Sequence, residues 1–151
     1  MLLQRAIDRL DDIVEALPQA DWDVFQRIYR VSMVVGQLRP PDTMVPWILK
    51  RFGSVDEVTA QKIVKITNVV TWEGALVNRL RAKRPMVKRD ILALESEVLN
   101  GSEVADPFAE PLRDTPADTF GRVEGRYCIT ASNIAKYDGH HSLVVFKEPS
   151  P

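Results

Sequence analysis

A chain of 151 residues with 45% hydrophobic and 27% charged side chains is long enough for one domain with an apolar core. Twenty basic against twenty-one acidic residues leave a formal net charge of −1, which argues against duplex DNA as a partner and makes any basic site a local one. The single Cys128 excludes an internal disulfide and a cysteine zinc cage, no apolar run reaches the ~18 to 20 residues of a membrane span, and MLLQRAIDRLDD lacks a secretory apolar region, so the chain is expected in the cytoplasm, away from membranes.

Residues 1 to 53 read as helical. Leu3, Ile7, Leu10, Ile13, Val14 and Leu17 recur at three- and four-residue spacing, and Pro18 closes that helix. A second helix is expected from Asp21 as N-cap, carrying Val24, Phe25, Ile28, Tyr29, Met33 and Val34 up to Gly36 or Leu38, before the RPPD break at 39 to 42. A third runs from Asp42 or Thr43 to Gly53, a residue suited to the left-handed position after a helix. Ser54 and Glu57 have capping-box spacing for one or two further turns.

Beyond residue 62 the texture changes. KIVKITNVVTW is rich in β-branched residues and reads as strand, ALVN continues it, and a short amphipathic helix is expected over 89 to 99. Three prolines between 101 and 121 mark a long loop. RYCITASN and SLVVFK, separated by the turn-forming KYDGHH, form the clearest hairpin. LVVF is apolar enough to be a buried central strand, which needs a neighbour on each side. The expected fold is therefore α+β: a helical lobe over 1–53, then an incomplete antiparallel sheet over 54–151, completed by a second copy or by further chain.

Six basic residues, Arg79, Arg81, Lys83, Arg84, Lys88 and Arg89, fall within eleven positions. On a strand, Arg79, Arg81 and Lys83 point the same way, and arginine's planar donors suit phosphate. Taken alone, such a run reads more readily as a solvated edge that keeps other strands from docking. No aromatic residue interleaves with it, which disfavours a nucleic-acid stacking platform. His140 and His141 are adjacent, so on a strand they face opposite ways and do not converge on one metal ion; one of them is left to line a pocket. No catalytic triad, Walker loop or dinucleotide fingerprint is present. The residues alone supply a phosphate-binding candidate and no catalytic residue, metal site or cofactor motif.

Two segments add a family resemblance. VTWEGALVNRLRAKRP, residues 70 to 85, resembles the opening signature of the galactose-1-phosphate uridylyltransferases through Thr71, Leu76, Val77 and the run Arg81, Ala82, Lys83, Arg84, Pro85. ASNIAKYDGHHSLVVFKEP resembles the early hairpin of that superfamily and its histidine-triad relatives through Asn133, Tyr137, His141, Val144, Val145 and Lys147. The resemblance covers about residues 62 to 151. It implies the front portion of a nucleotidyltransferase-like domain, uridylyltransferase-like or dinucleoside polyphosphate phosphorylase-like, that binds a nucleotide or nucleotide-sugar. By that resemblance Arg81 and Arg84, with Lys83 between them, contact phosphate, and Asn133 lies near the ribose or base.

The departures matter as much. Asp106 and Ala109 stand where the family often has its zinc-binding cysteines, and the His-x-His-x-Gln-type motif that carries the nucleophile is absent. The chain alone is thus expected to lack transferase activity. The rival expectation is a non-enzymatic module that binds a partner through the helical lobe and by strand addition to its last strand; a third, RNA binding by the basic cluster, predicts steep salt dependence.

Overall fold

The structure is a computed structural model that describes residues 7–83 and 106–147. The expected helix over 89 to 99, and Arg84, Lys88 and Arg89, lie outside the described residues. Within them the chain is α+β, with short helices packed around two antiparallel sheets.

A 3-10 turn at Ile7–Arg9 leads into α1, Leu10–Glu15. Pro18 then serves as the N-cap of α2, Gln19–Phe25, in place of Asp21. Here the first expectation fails. The chain leaves the helix after Phe25 and forms strand β1, Tyr29–Gln37, so the helical reading holds to Phe25 and is corrected over 26 to 38. Val31, Val34 and Val35 are stiff β-branched side chains that fit a pleated strand. What decides the matter is pairing: β1 runs antiparallel to β2, Ala60–Asn68, from Tyr29 opposite Asn68 to Gln37 opposite Ala60. Strand β3, Gly74–Val77, pairs with the other edge of β2, giving the order β1-β2-β3. The paired strands thus cross the expected boundary at residue 53.

Between β1 and β2, local signals behave as expected. Helix α3, Val45–Phe52, has proline in its first turn and ends at Gly53, whose φ of 87° is open to glycine at little cost. Ser54 accepts a hydrogen bond from the Glu57 N–H at 3.2 Å and so caps α4, Val55–Thr59. Ile48 and Phe52 of α3 and Val58 of α4 are buried with Leu38, Leu80 and Ala135. Burying a side chain of that size contributes about 1.5–3 kcal/mol. That cluster fastens the end of β3 and the later hairpin to the same helices.

Residues after β3 depart from expectation again. Arg79–Ala82 form a helical turn, α5, whose N-cap Asn78 accepts from the Leu80 N–H at 2.9 Å. The described part of the basic cluster, Arg79 to Lys83, is therefore not a strand, and the alternation that would have aligned Arg79, Arg81 and Lys83 does not apply. Asparagine directly before the run supplies the cap that starts the turn.

The described part of the proline-rich segment carries a one-turn helix, α6, Pro111–Asp114, and is tied to the sheet where Arg39 and Ala117 exchange two N–H to carbonyl bonds of 2.8 Å. Strands β4, Cys128–Ser132, and β5, Ser142–Phe146, form the expected hairpin, with Ile129 opposite Val145. The outer edge of β4 is covered, since Gly125 N–H donates to Cys128 and Thr130 N–H to Val123. Strand β5 pairs only with β4 among the described residues. Val145 is buried, but Val144 and Phe146 are 62% and 72% exposed, so the expectation of a wholly buried central strand is corrected.

Candidate anion-binding corner

The residues joining β4 to β5 pack against α5 through a buried polar network. Gln61 of β2 donates to the carbonyls of Val58 at 2.8 Å and Ile134 at 2.9 Å, and its side-chain oxygen accepts from Asn78 at 2.9 Å and from the Lys136 N–H at 3.0 Å. Asn78 also donates to the Lys136 carbonyl at 2.9 Å. Each amide is thereby satisfied, as burial requires. The two segments that carried the family resemblance, some fifty residues apart in sequence, meet here.

Lys136 itself turns inward and is wholly buried. Its ammonium donates to Asp118 at 2.7 Å and to the His141 carbonyl at 3.2 Å, while Asp118 also accepts from Ser132 at 2.9 Å and from Ser142. Burial pushes the Asp118 carboxyl up, but the Lys136, Ser142 and Ser132 hydrogen bonds and the lysine charge outweigh it and hold it below its ordinary value. The lysine stem lies over Gly36 of β1, where a Cβ would come within 2.9 Å of its Cδ and 3.0 Å of Ile63 Cδ1. Glycine at 36 makes room for the buried cation.

Ala135 and Tyr137, on either side of Lys136, face Arg81. Its Nη1 donates to the Ala135 carbonyl at 3.0 Å, its Nη2 donates to the Tyr137 hydroxyl, and its Cζ sits 3.4 Å above the Tyr137 ring. Tyr137 is 48% exposed and also lies beside His141, with ring centroids 5.1 Å apart. The Tyr137 N–H donates to His141 Nδ1 at 3.1 Å, which holds that nitrogen in its acceptor form. Asn133 shapes the turn: its side-chain oxygen accepts from the Ala135 N–H at 3.2 Å, and its own N–H donates to the His141 carbonyl at 3.2 Å. Arg81, Asn133 and His141 thus gather around one hairpin connection.

Lys83 does not join them. Its ammonium donates to the Phe52 carbonyl at 2.9 Å and to Glu57 at 3.2 Å, a cation at the carbonyl end of α3, where the helix dipole favours it. Of the expected phosphate-binding trio, Arg81 lies at the hairpin connection, Lys83 lies against α3 and α4, and Arg84 lies outside the described residues. Arg79 pairs with Asp8 at 2.5 Å. Among the described residues no group of three His, Cys, Asp or Glu side chains is placed to hold a metal ion, and no helix is long and apolar enough to cross a membrane.

Sequence reading missed Tyr137 as a site residue and gave Lys136, Asp118, Gln61 and Asn78 no role. The signal for Asn78 was its position before a basic run, and for Lys136 its place between Ala135 and Tyr137 in an otherwise turn-like stretch. No family model, curated protein or solved structure matches this chain.

Proposed function

We propose that the chain is a nucleotide-binding portion of a uridylyltransferase-like or dinucleoside polyphosphate phosphorylase-like nucleotidyltransferase, with Arg81 as its phosphate contact. One observation carries the reading: Arg81 is held in place entirely by neutral groups, a carbonyl, a phenol and an aromatic face, and no carboxylate pairs with it among the described residues. A guanidinium oriented but not neutralised keeps its attraction for an anion, and its fork of donors suits phosphoryl oxygens. The family resemblance supports the same corner independently, since Arg81, Asn133, Tyr137 and His141 are among the residues that carry it. The reading is of binding and not of catalysis, because His140 and His141 are the chain's two histidines and form no His-x-His motif.

Isothermal titration with uridine and adenine nucleotides, beside Arg81→Ala and Arg81→Lys at two salt concentrations, tests it. Saturable binding weakened by about 1.5–3 kcal/mol in Arg81→Ala, with an unchanged far-UV spectrum, is expected for a charge-assisted contact. Equal affinity in that variant removes Arg81 from the site. A salt slope of several phosphate contacts points instead to RNA.

A second reading has its own observation. The outer edge of β5 has no strand partner among the described residues, and Val144 and Phe146 stand exposed beside it. Such an edge suits strand addition by a second chain or by further chain of the same enzyme. On the helical side of that idea, β1 occupies about half of the second expected helix.

A further inference from the structure

We infer that Tyr137 is the positioning residue of the anion site, and that the site it builds takes a single phosphoryl group; the inference rests on the nucleotide-binding reading above. Four basic side chains of the described residues belong to α5, to its C-cap or to the hairpin connection. Arg79 is matched by Asp8, Lys83 by Glu57 and Lys136 by Asp118. Arg81 is the one of the four whose partners carry no charge. Among the described residues the corner therefore offers one uncancelled positive charge, which suits a phosphate monoester or a single bridging phosphate better than the clustered charge of a triphosphate.

Tyr137 accounts for how that charge is held. Its hydroxyl accepts from one guanidinium nitrogen and its ring lies under the central carbon, so both the plane and the rotation of the guanidinium are set. A carboxylate in the same place would orient the arginine equally well and cancel the attraction it is needed for. With one donor spent on the Ala135 carbonyl and one on the phenol, about three of the five guanidinium donors are left for ligand oxygens. Tyr137 is in turn fixed by its backbone, whose N–H is bonded to His141 Nδ1 across the turn. Orientation passes from the hairpin to the tyrosine and from the tyrosine to the arginine.

The test measures UMP, UDP and UTP affinities for the wild-type chain, Tyr137→Ala and Tyr137→Phe, together with the Arg81 Nε–H resonance in a nitrogen–proton correlation spectrum. Expected are wild-type affinities for the three nucleotides within about tenfold of one another, and a loss of about tenfold or more in Tyr137→Ala. In that variant the Arg81 resonance moves or broadens. Tyr137→Phe keeps the ring and lacks the acceptor, so its loss falls between, with partial retention of the resonance. A merely structural tyrosine would lower the melting temperature of the variants and leave nucleotide affinity and the Arg81 signal of the folded protein unchanged; that result overturns the inference and leaves nucleotide binding standing. Wild-type affinity for UTP a hundredfold above that for UMP overturns the single-phosphate assignment. Absence of binding by wild-type protein to any of the three overturns the nucleotide reading and the inference with it. If Tyr137→Ala does not fold, the Tyr137→Phe comparison decides, and unchanged affinity together with an unchanged Arg81 resonance in that variant overturns the positioning role.

Discussion

Lys136 and Arg81 are two cations held by the same three-residue stretch, and the molecule treats them in opposite ways. Lys136 points into the protein, is wholly buried, and is matched by Asp118 with two serines completing the carboxylate's shell. Arg81 approaches the same stretch from α5, meets only neutral partners on Ala135 and Tyr137, and remains partly exposed. The inward cation costs desolvation and is repaid by its ion pair and by its place between two sheets. The outward one keeps its field. A buried, neutralised lysine thus acts as a peg that fixes the loop, and the fixed loop presents a half-exposed tyrosine that orients an arginine whose charge is still available.

Breaking the peg should have the largest effect. Asp118→Ala leaves the Lys136 ammonium buried with a single carbonyl acceptor and is expected to cost about 3–5 kcal/mol of stability, read as a fall in the urea midpoint. Replacing both partners, Lys136→Met with Asp118→Leu, is expected to recover most of that loss, because no uncompensated charge is then left inside. Gly36→Ala attacks the same peg from the strand side. Its methyl group would press on a lysine stem that cannot swing away, so a loss of about 1–3 kcal/mol is expected in the same measurement.

Acid sharpens the contrast. The folded-state Asp118 carboxyl lies below its ordinary value, so it contributes stability above about pH 4, the unfolded-state range, and that contribution is lost as the pH falls through its lower folded value. Urea midpoints taken between pH 6 and pH 3 should fall for wild type and fall less steeply for Asp118→Ala, while a parallel fall in both would exclude Asp118 as a source. The smallest effect is expected at Lys83. Since its ammonium is spent on Phe52 and Glu57, Lys83→Met should leave nucleotide affinity within about twofold, at a stability cost of about 1 kcal/mol or less for a half-exposed contact. A tenfold loss of affinity there would return Lys83 to the phosphate site.

How much of this was legible beforehand depends on the range of the interactions involved. Gly53 after α3, the Ser54 cap with Glu57 three residues on, and the β4–β5 hairpin are set by neighbours within a few positions, and each appears where its spacing placed it. Residues 26 to 38 were misread because Phe25, Ile28, Tyr29 and Met33 also recur at near-helical spacing, and β2, which begins more than twenty residues later, is what makes them a strand. Arg79, Arg81 and Lys83 were taken as alternating along a strand, whereas Asn78 caps a helical turn that sends Arg79 to Asp8, Arg81 to the hairpin and Lys83 to α3.

The sequence by itself determined the α+β class, the Gly53 and Ser54 helix ends and the β4–β5 hairpin, because local conformational preference is carried by the residues themselves. Only the tertiary structure decided which way each cation points and what it meets. That depends on partners far apart along the chain, Gly36 and Lys136, Asp118 and Ser142, Arg81 and Tyr137, whose meeting is set by strand pairing and core packing, and whose charges stay available or are cancelled by what surrounds them in the folded state.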